Sequence, residues 1–220
     1  MLDGYEGVLN EHEAMEVFEE AGIPVADYVL AEDEEGAVEA AEELGYPVVL
    51  KVDSSDVQHK TDVGAVKTAH DEDEVRKRYG IIMGNVEEEV PDADVEGILV
   101  EEVVEGHEMI VGVSRDPEFG HVIMFGLGGI FVEVLRDVNF RVLPIEEYDA
   151  KQLIDEMESR ELLEGVRGEE PVDRDAIVDV LLRVSDLVEE NPGIDELDIN
   201  PLFVNPEGAF AADALIEVGE

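Results

Sequence analysis

The chain has 220 residues, 45% of them hydrophobic, so a sizeable core is possible although 59 acidic side chains stand against 14 basic ones and the formal net charge is −45. It contains no cysteine, which excludes disulfides, thiolate metal sites and cysteine nucleophiles. No basic face is available to meet phosphates, so a nucleic-acid partner is not expected. The start, MLDGYEGVLN, has neither a basic nor an apolar leader pattern. The longest apolar run, Val122 to Val132, is stopped by Glu133 and is too short to span a bilayer. A soluble, cytoplasmic protein with no membrane partner is the expectation. The acidic residues are spread along the chain. Their mutual repulsion is screened only when the Debye length falls to roughly 3 Å, near 1 M salt. A halophilic source and salt-dependent folding are therefore expected.

Asn10 and Glu13 form a capping-box pattern ahead of an apolar stripe of Ala14, Val17, Phe18 and Ala21, which predicts a first helix ended by Gly22 and Pro24. A short strand over Asp27 to Leu30 and a helix over Glu34 to Leu44 follow. Pro47 to Val52 reads as a buried, β-branched strand, with a polar loop after it and a returning strand over Ala65 to Ala69. Asp71 and Glu74 repeat the cap signature for a third helix, to about Val86. This half reads as a small α/β subdomain, with a boundary at Pro91 to Asp94; the expected domains are 1–94 and 95–220. Gly97 to Val104, Glu108 to Ser114 and His121 to Leu127 are three strands with short links, expected as an antiparallel meander. Phe131 to Leu135 and Asn139 to Leu143 extend the sheet, helices follow near Glu146 to Glu158 and Arg174 to Glu190, and a hairpin from Leu197 to Val218 closes the chain.

Lys51 lies inside an apolar strand and His59 and Lys60 lie on the loop after it, with Lys67 on the return. In so acidic a chain, retained cations suit an anionic ligand: a strand lysine and a loop histidine can grip a polyphosphate and accept a phosphoryl group. The plainer alternative is a lysine reaching the surface and a histidine without a role. In the terminal hairpin, a turn centred between Pro206 and Glu207 makes residues opposite when their numbers sum to 413, as Asn200 and Asp213 do. An amide oxygen beside a carboxylate is a hard oxygen site suited to Mg²⁺ held mainly by nucleotide phosphates; an ordinary polar cross-strand pair is the alternative. Asp198 also interrupts that apolar strand. The loop Gly126 to Gly129 can offer N–H groups to an anion. Glu101 and Glu108 sit on buried strands where a carboxylate needs a partner, either a nucleotide or Lys51. Arg141 suits a phosphate or a carboxylate. His12, His70, His107 and His121 read as solvated surface groups. A zinc site is not expected without cysteines or a close histidine pair.

The order YPVVLK (46–51), HKTDVGAV (59–66), ILVEEVVEGHEMIVG (98–112), FGLGGIFVEV (125–134), LDINPLFV (197–204) and ADALI (212–216) resembles the ATP-grasp subunit of ADP-forming acetate–CoA ligases, which are related to the β chain of succinyl-CoA synthetase. The resemblance covers nearly the whole chain. It implies an α/β ATP-grasp fold, with a small α/β subdomain and a larger antiparallel sheet flanked by helices. It also implies roles: Lys51 for nucleotide phosphates, Glu101 to Val104 for adenine through the backbone, Glu108 for ribose, Asn200 and Asp213 for Mg²⁺, and His59 as phosphoryl carrier. The implied cofactors are ATP/ADP and Mg²⁺. The implied partner is a separate CoA-binding α subunit that would hold the acyl and CoA chemistry. Ala65 stands where the family usually has glycine, and Met15 where relatives often have lysine. A non-catalytic ATP-grasp module of a protein acetyltransferase-type assembly, and another ATP-grasp ligase, remain the alternatives.

Overall fold

A computed structural model describes the chain apart from residues 1, 3, 58–59, 130–136, 166–169 and 220. In chain order the elements are β1 (Gly7–Val8), α1 (Glu11–Glu20), β2 (Tyr28–Ala31), α2 (Glu34–Leu44), β3 (Val48–Asp53), α3 (Lys60–Val63), β4 (Val66–Ala69), α4 (Glu72–Glu89), β5 (Gly97–Glu102), β6 (His107–Asp116), β7 (Gly120–Leu127), β8 (Val138–Val142), α5 (Glu147–Asp155), α6 (Arg174–Glu190), β9 (Ile194–Asn205), β10 (Gly208–Ala211) and β11 (Leu215–Val218). A 3₁₀ turn at Arg160–Glu164 stands between α5 and α6. The expected strand Phe131 to Leu135 lies outside the described residues. Among the described residues, no helix is long and apolar enough to cross a membrane.

The chain divides into two compact units. One comprises Asn10–His12 and Ala26–Val103; the other comprises Met1–Leu9, Glu13–Val25 and Val104–Glu220. The first is built on a four-stranded antiparallel sheet ordered β2-β5-β3-β4. Its apolar face holds Val48, Leu50, Val52, Ile98 and Val100, packed with Ala37, Val38 and Ala41 of α2 and Val75, Ile82 and Val86 of α4. Fully burying a side chain such as Leu50 is worth about 1.5–3 kcal/mol. Both helices begin where a short carboxylate accepts an amide: Asp33 from Gly36 N–H and Asp71 from Glu74 N–H. Because side chains alternate along a strand, the residues between those apolar ones, Val49, Lys51 and Asp53, fall on the opposite face with Leu99 and Glu101.

The second unit carries a sheet ordered β1-β11-β9-β6-β7-β8, with β10 also paired to β9. The helix α6 packs on it through Ile177, Leu181, Val184 and Val188, and its start is capped by Asp173 accepting from Ala176 N–H. The helix α5 carries a capping box between Glu146 and Asp149.

One expectation fails. The strand β5 does not open a meander with the strands after it. It lies between β2 and β3 in the four-stranded sheet, and the meander is β6-β7-β8. Alternation of apolar residues fixes the faces of a strand but not its neighbours. Gly106, which looks like a turn residue, lies against the backbone of Val204, where a Cβ would come within 2.6 Å of the carbonyl oxygen. Close approach, and not a hairpin, requires the glycine there.

Candidate functional site

Lys51 stands mid-strand on β3, 7% exposed, with its ammonium between two carboxylates. Its Nζ lies 2.9 Å from Glu11 Oε1 and 2.8 Å from Glu101 Oε2. Glu101 is on the neighbouring strand β5, on the same face, so β-sheet alternation alone brings it to Lys51. Of the two partners open to Glu101, nucleotide or Lys51, its carboxylate takes Lys51. Glu11, at the first turn of α1, is 3% exposed and divides its oxygens between Lys51 and Lys60. Burial alone would raise the Glu11 carboxyl, but the two ammonium groups outweigh that and hold it lowered, at about 2.

Residues on either side of Glu11 reach the same loop. Asn10 Oδ1 accepts from Ser55 N–H at 2.6 Å. The backbone N–H of His12 donates to Asp53 Oδ1 at 3.1 Å, and its ring Nδ1 lies 2.5 Å from Asp53 Oδ2. Asp53 is fully buried. His12 is therefore not a solvated helix-face residue. A carboxylate at the buried end of an apolar strand must find a partner, and Asp53 was the signal for it. Three consecutive residues, Asn10, Glu11 and His12, thus hold Ser55, Lys60 and Asp53. His59 lies outside the described residues. Ala65 is fully buried in the core of this unit, its carbonyl accepting from Val52 N–H at 3.1 Å.

In the other unit, the hairpin keeps the expected count. Asn205 pairs with Gly208 and Leu202 with Ala211, and beyond a break at 212–214 Asp198 pairs with Leu215. Each sums to 413, and Gly208 introduces no slip. Asn200 and Asp213 hold the corresponding positions, with Asp213 inside the break. Burial first, then the charges of Asp213 and Glu196, push the Asp198 carboxyl up to about 7. Asp198 pairs across the sheet with Gly112, and its Oδ1 lies 3.3 Å from where a Cβ on that glycine would stand. Among the described residues, no three Asp, Glu, His or Cys side chains form a metal-binding group by themselves. Asp198, Asn200 and Asp213 nevertheless fit Mg²⁺: all offer hard oxygens, they concentrate negative charge, and phosphate oxygens and water would complete the shell.

The remaining candidates take separate places. Glu108 is exposed on β6, beside the backbone of Gly128 and Gly129. Gly128 spends its N–H on the Glu108 carbonyl at 2.8 Å, so that amide is not offered to an anion. Gly129 has φ +59, and a Cβ there would collide with the Glu108 carboxylate. Arg141, on β8, pairs with Glu156 at 2.8 Å, the carboxylate alternative. Val104 is half-buried and opens the last segment of the second unit. His121 is also not a free surface group, since its Nε2 lies 2.7 Å from the Ile194 carbonyl. Met15 is fully buried as a core residue.

Residues 1–218 match the family model described as ATP-grasp domain, and the chain belongs to that family. Within it, the chain is similar to the β subunits of ADP-forming acetate–CoA ligases. It is 45% identical over 208 residues to the acetate–CoA ligase [ADP-forming] I subunit beta of Pyrococcus furiosus, covering 94% of this chain and 90% of that one. It is 47% identical over 209 residues to the acetate–CoA ligase [ADP-forming] I of Archaeoglobus fulgidus, of which it spans 30% of the length. Among solved structures, it superposes with a TM-score of 0.92 on an acetyl-coenzyme A synthetase of Ca. Korarchaeum cryptofilum in complex with coenzyme A and Ca-AMPCP, at 49% identity over 98% of this chain and 95% of that one. A second structure of that enzyme, with Mg-AMPPCP and its phosphohistidine segment pointing towards the nucleotide binding site, gives 0.83 at 44% identity, covering 96% and 93%.

Proposed function

We propose that this chain is the nucleotide-handling part of an ADP-forming acyl-CoA synthetase, moving a phosphoryl group between MgATP or MgADP and His59. The acyl and CoA chemistry then lies on a CoA-binding partner, a separate α subunit as in the Pyrococcus relative or a further part of a longer chain as in the Archaeoglobus one. The observation that carries the reading is Lys51: a cation held inside a buried strand, on the face opposite the apolar core, in a chain with few cations. A fixed ammonium of this kind neutralises phosphate oxygens in a loose phosphoryl-transfer transition state. Asn200 and Asp213, with Asp198 beside them, would hold Mg²⁺, which when bound neutralises the phosphate oxygens further. Glu108 serves the ribose, and the backbone of Glu101 to Val104 serves the adenine.

In the step itself, the lone pair of a neutral imidazole nitrogen of His59 attacks the γ-phosphorus. An N–P bond forms as the bond from phosphorus to the ADP oxygen breaks, and ADP leaves. The other ring nitrogen keeps its proton. In the reverse direction ADP takes the group back.

The test is incubation of the full chain with γ-³²P-ATP and Mg²⁺ in molar KCl. Acid-labile label on the protein, lost in His59→Ala, is expected. Nucleotide binding without label in the wild-type chain would turn the reading towards a non-catalytic ATP-grasp module.

A further inference from the structure

The buried carboxylate of Glu11 has no part in the chemistry just described, yet it touches both Lys51 and Lys60. It sits at the start of a helix, where a glutamate is ordinarily solvated. Here it is 3% exposed, and both its oxygens are used. Lys51 belongs to the strand and Lys60 to the far end of the loop that begins after Asp53. The neighbours of Glu11 hold the near end of the same loop, Asn10 at Ser55 and His12 at Asp53. Residues 10–12 therefore hold the chain at Asp53, Ser55 and Lys60 from the start of one helix, and Glu11 ties Lys60 to the strand lysine.

We infer that Glu11 is a positioning residue for phosphoryl transfer: its carboxylate sets Lys60, the sequence neighbour of His59, at a fixed place relative to Lys51. This rests on the reading of Lys51 and His59 given above. The physical argument is about geometry more than charge. An in-line transfer depends steeply on the placement of the two reacting groups. A bidentate carboxylate shared by two ammonium groups constrains both more tightly than either single ion pair. Glu101 already partners Lys51, so loss of Glu11 leaves that lysine charged and in place but unties Lys60. Nucleotide affinity and transfer rate should then separate. With one competing carboxylate removed, the phosphates meet Lys51 as readily as before, while the loop no longer has its anchor.

The experiment compares the wild-type chain with Glu11→Gln, Glu11→Asp, Lys60→Met and the double variant Glu11→Gln/Lys60→Met in molar KCl. The rate of acid-labile ³²P labelling is measured by rapid quench, and MgADP affinity by calorimetry. Glu11→Gln should label at least tenfold more slowly, with MgADP affinity unchanged within threefold or tighter. Glu11→Asp, which keeps the charge, should recover part of the rate. The double variant should be no slower than Lys60→Met, because the two residues act through one contact. Equal labelling by Glu11→Gln and wild type overturns the inference. So does a rate that falls in parallel with affinity, or a double variant slower by the product of the two single effects. Should Glu11→Gln fail to fold, Lys60→Met carries the same rate-against-affinity comparison. A wild-type chain that binds MgADP but takes no label overturns the phosphoryl-transfer reading and this inference with it.

Discussion

Around Lys51, buried ions meet opposite charges: Lys51 and Lys60 are matched by Glu11 and Glu101. At the terminal hairpin, half-buried charge meets its own sign. Burial, and then the charges of Asp213 and Glu196, push the Asp198 carboxyl up to about 7. In the first region each ammonium described has a carboxylate partner. The second holds like charges close together, and a cation placed there would relieve that repulsion. One region is stabilised by opposite charges; the other keeps like charges together at a cost in stability.

The largest effect that would test this contrast is expected at Lys51. Lys51→Met leaves the two buried carboxylates of Glu11 and Glu101 without the ammonium between them. Breaking a buried pair in this way costs about 3–5 kcal/mol, read as a shift in urea midpoint in molar KCl. A loss below about 1 kcal/mol would mean that the cluster behaves like a surface ion pair. The replacement Asp198→Asn should do the opposite to the metal-free chain, raising stability by about 1–2 kcal/mol at pH 8 while weakening Mg²⁺ binding in calorimetry. If it destabilises the apo chain, the hairpin is not repulsive.

The two regions also titrate with opposite slopes. Glu11 is lowered from 4.5 to about 2, so the unfolded chain binds its proton first. The stability Glu11 contributes is intact above about pH 4.5 and is lost as pH falls towards 2. Asp198 is raised from 3.8 to about 7, so the unfolded chain ionises first and stability falls as pH rises across that window. Unfolding midpoints measured against pH should show the upper slope flatten in Asp198→Asn and the lower one flatten in Glu11→Gln.

Salt separates the buried cluster from the surface. We propose that the chain is adapted to high salt, and molar KCl is expected to raise its melting temperature over dilute buffer by screening the exposed acidic side chains. The penalty of Lys51→Met should persist in KCl, because buried pairs are screened little. The smallest effect is expected at Gly112. A Cβ there lies 3.2 Å from Met124 Cε and 3.3 Å from Asp198 Oδ1, and both neighbours can yield slightly. Gly112→Ala should cost under about 1 kcal/mol by thermal melt.

Much of this was legible in the residues. Asp71 and Asp173 announced their helices through short side chains that cap backbone amides, and α6 runs over Arg174–Glu190 as its periodicity indicates. The hairpin count followed from turn length alone. The cost of burying a carboxylate showed that Glu101 needs a partner but left a nucleotide and Lys51 both open. What could not be read was non-local pairing. The strand β5 carries the pattern of a meander strand, but its neighbours were decided by distant segments. The helix start at Asn10–His12 looks solvent-facing in sequence, and only the burial of Asp53 hinted that something polar had to come down onto that face of the sheet. The ATP-grasp resemblance named Lys51 but was silent on Glu11.

The count of 413, kept from Asn205–Gly208 out to Glu196–Glu217, sets a limit on how this gene can vary. Losing or gaining one codon between Asn205 and Gly208 would turn Ile216 and Val218 from inside to outside and carry Asp213 to the wrong side of the ribbon. A two-codon change would restore the alternation yet still displace Asp213 along its neighbour strand. Length polymorphism should therefore be purged from this turn, even though Pro206 and Glu207 are themselves solvent-exposed.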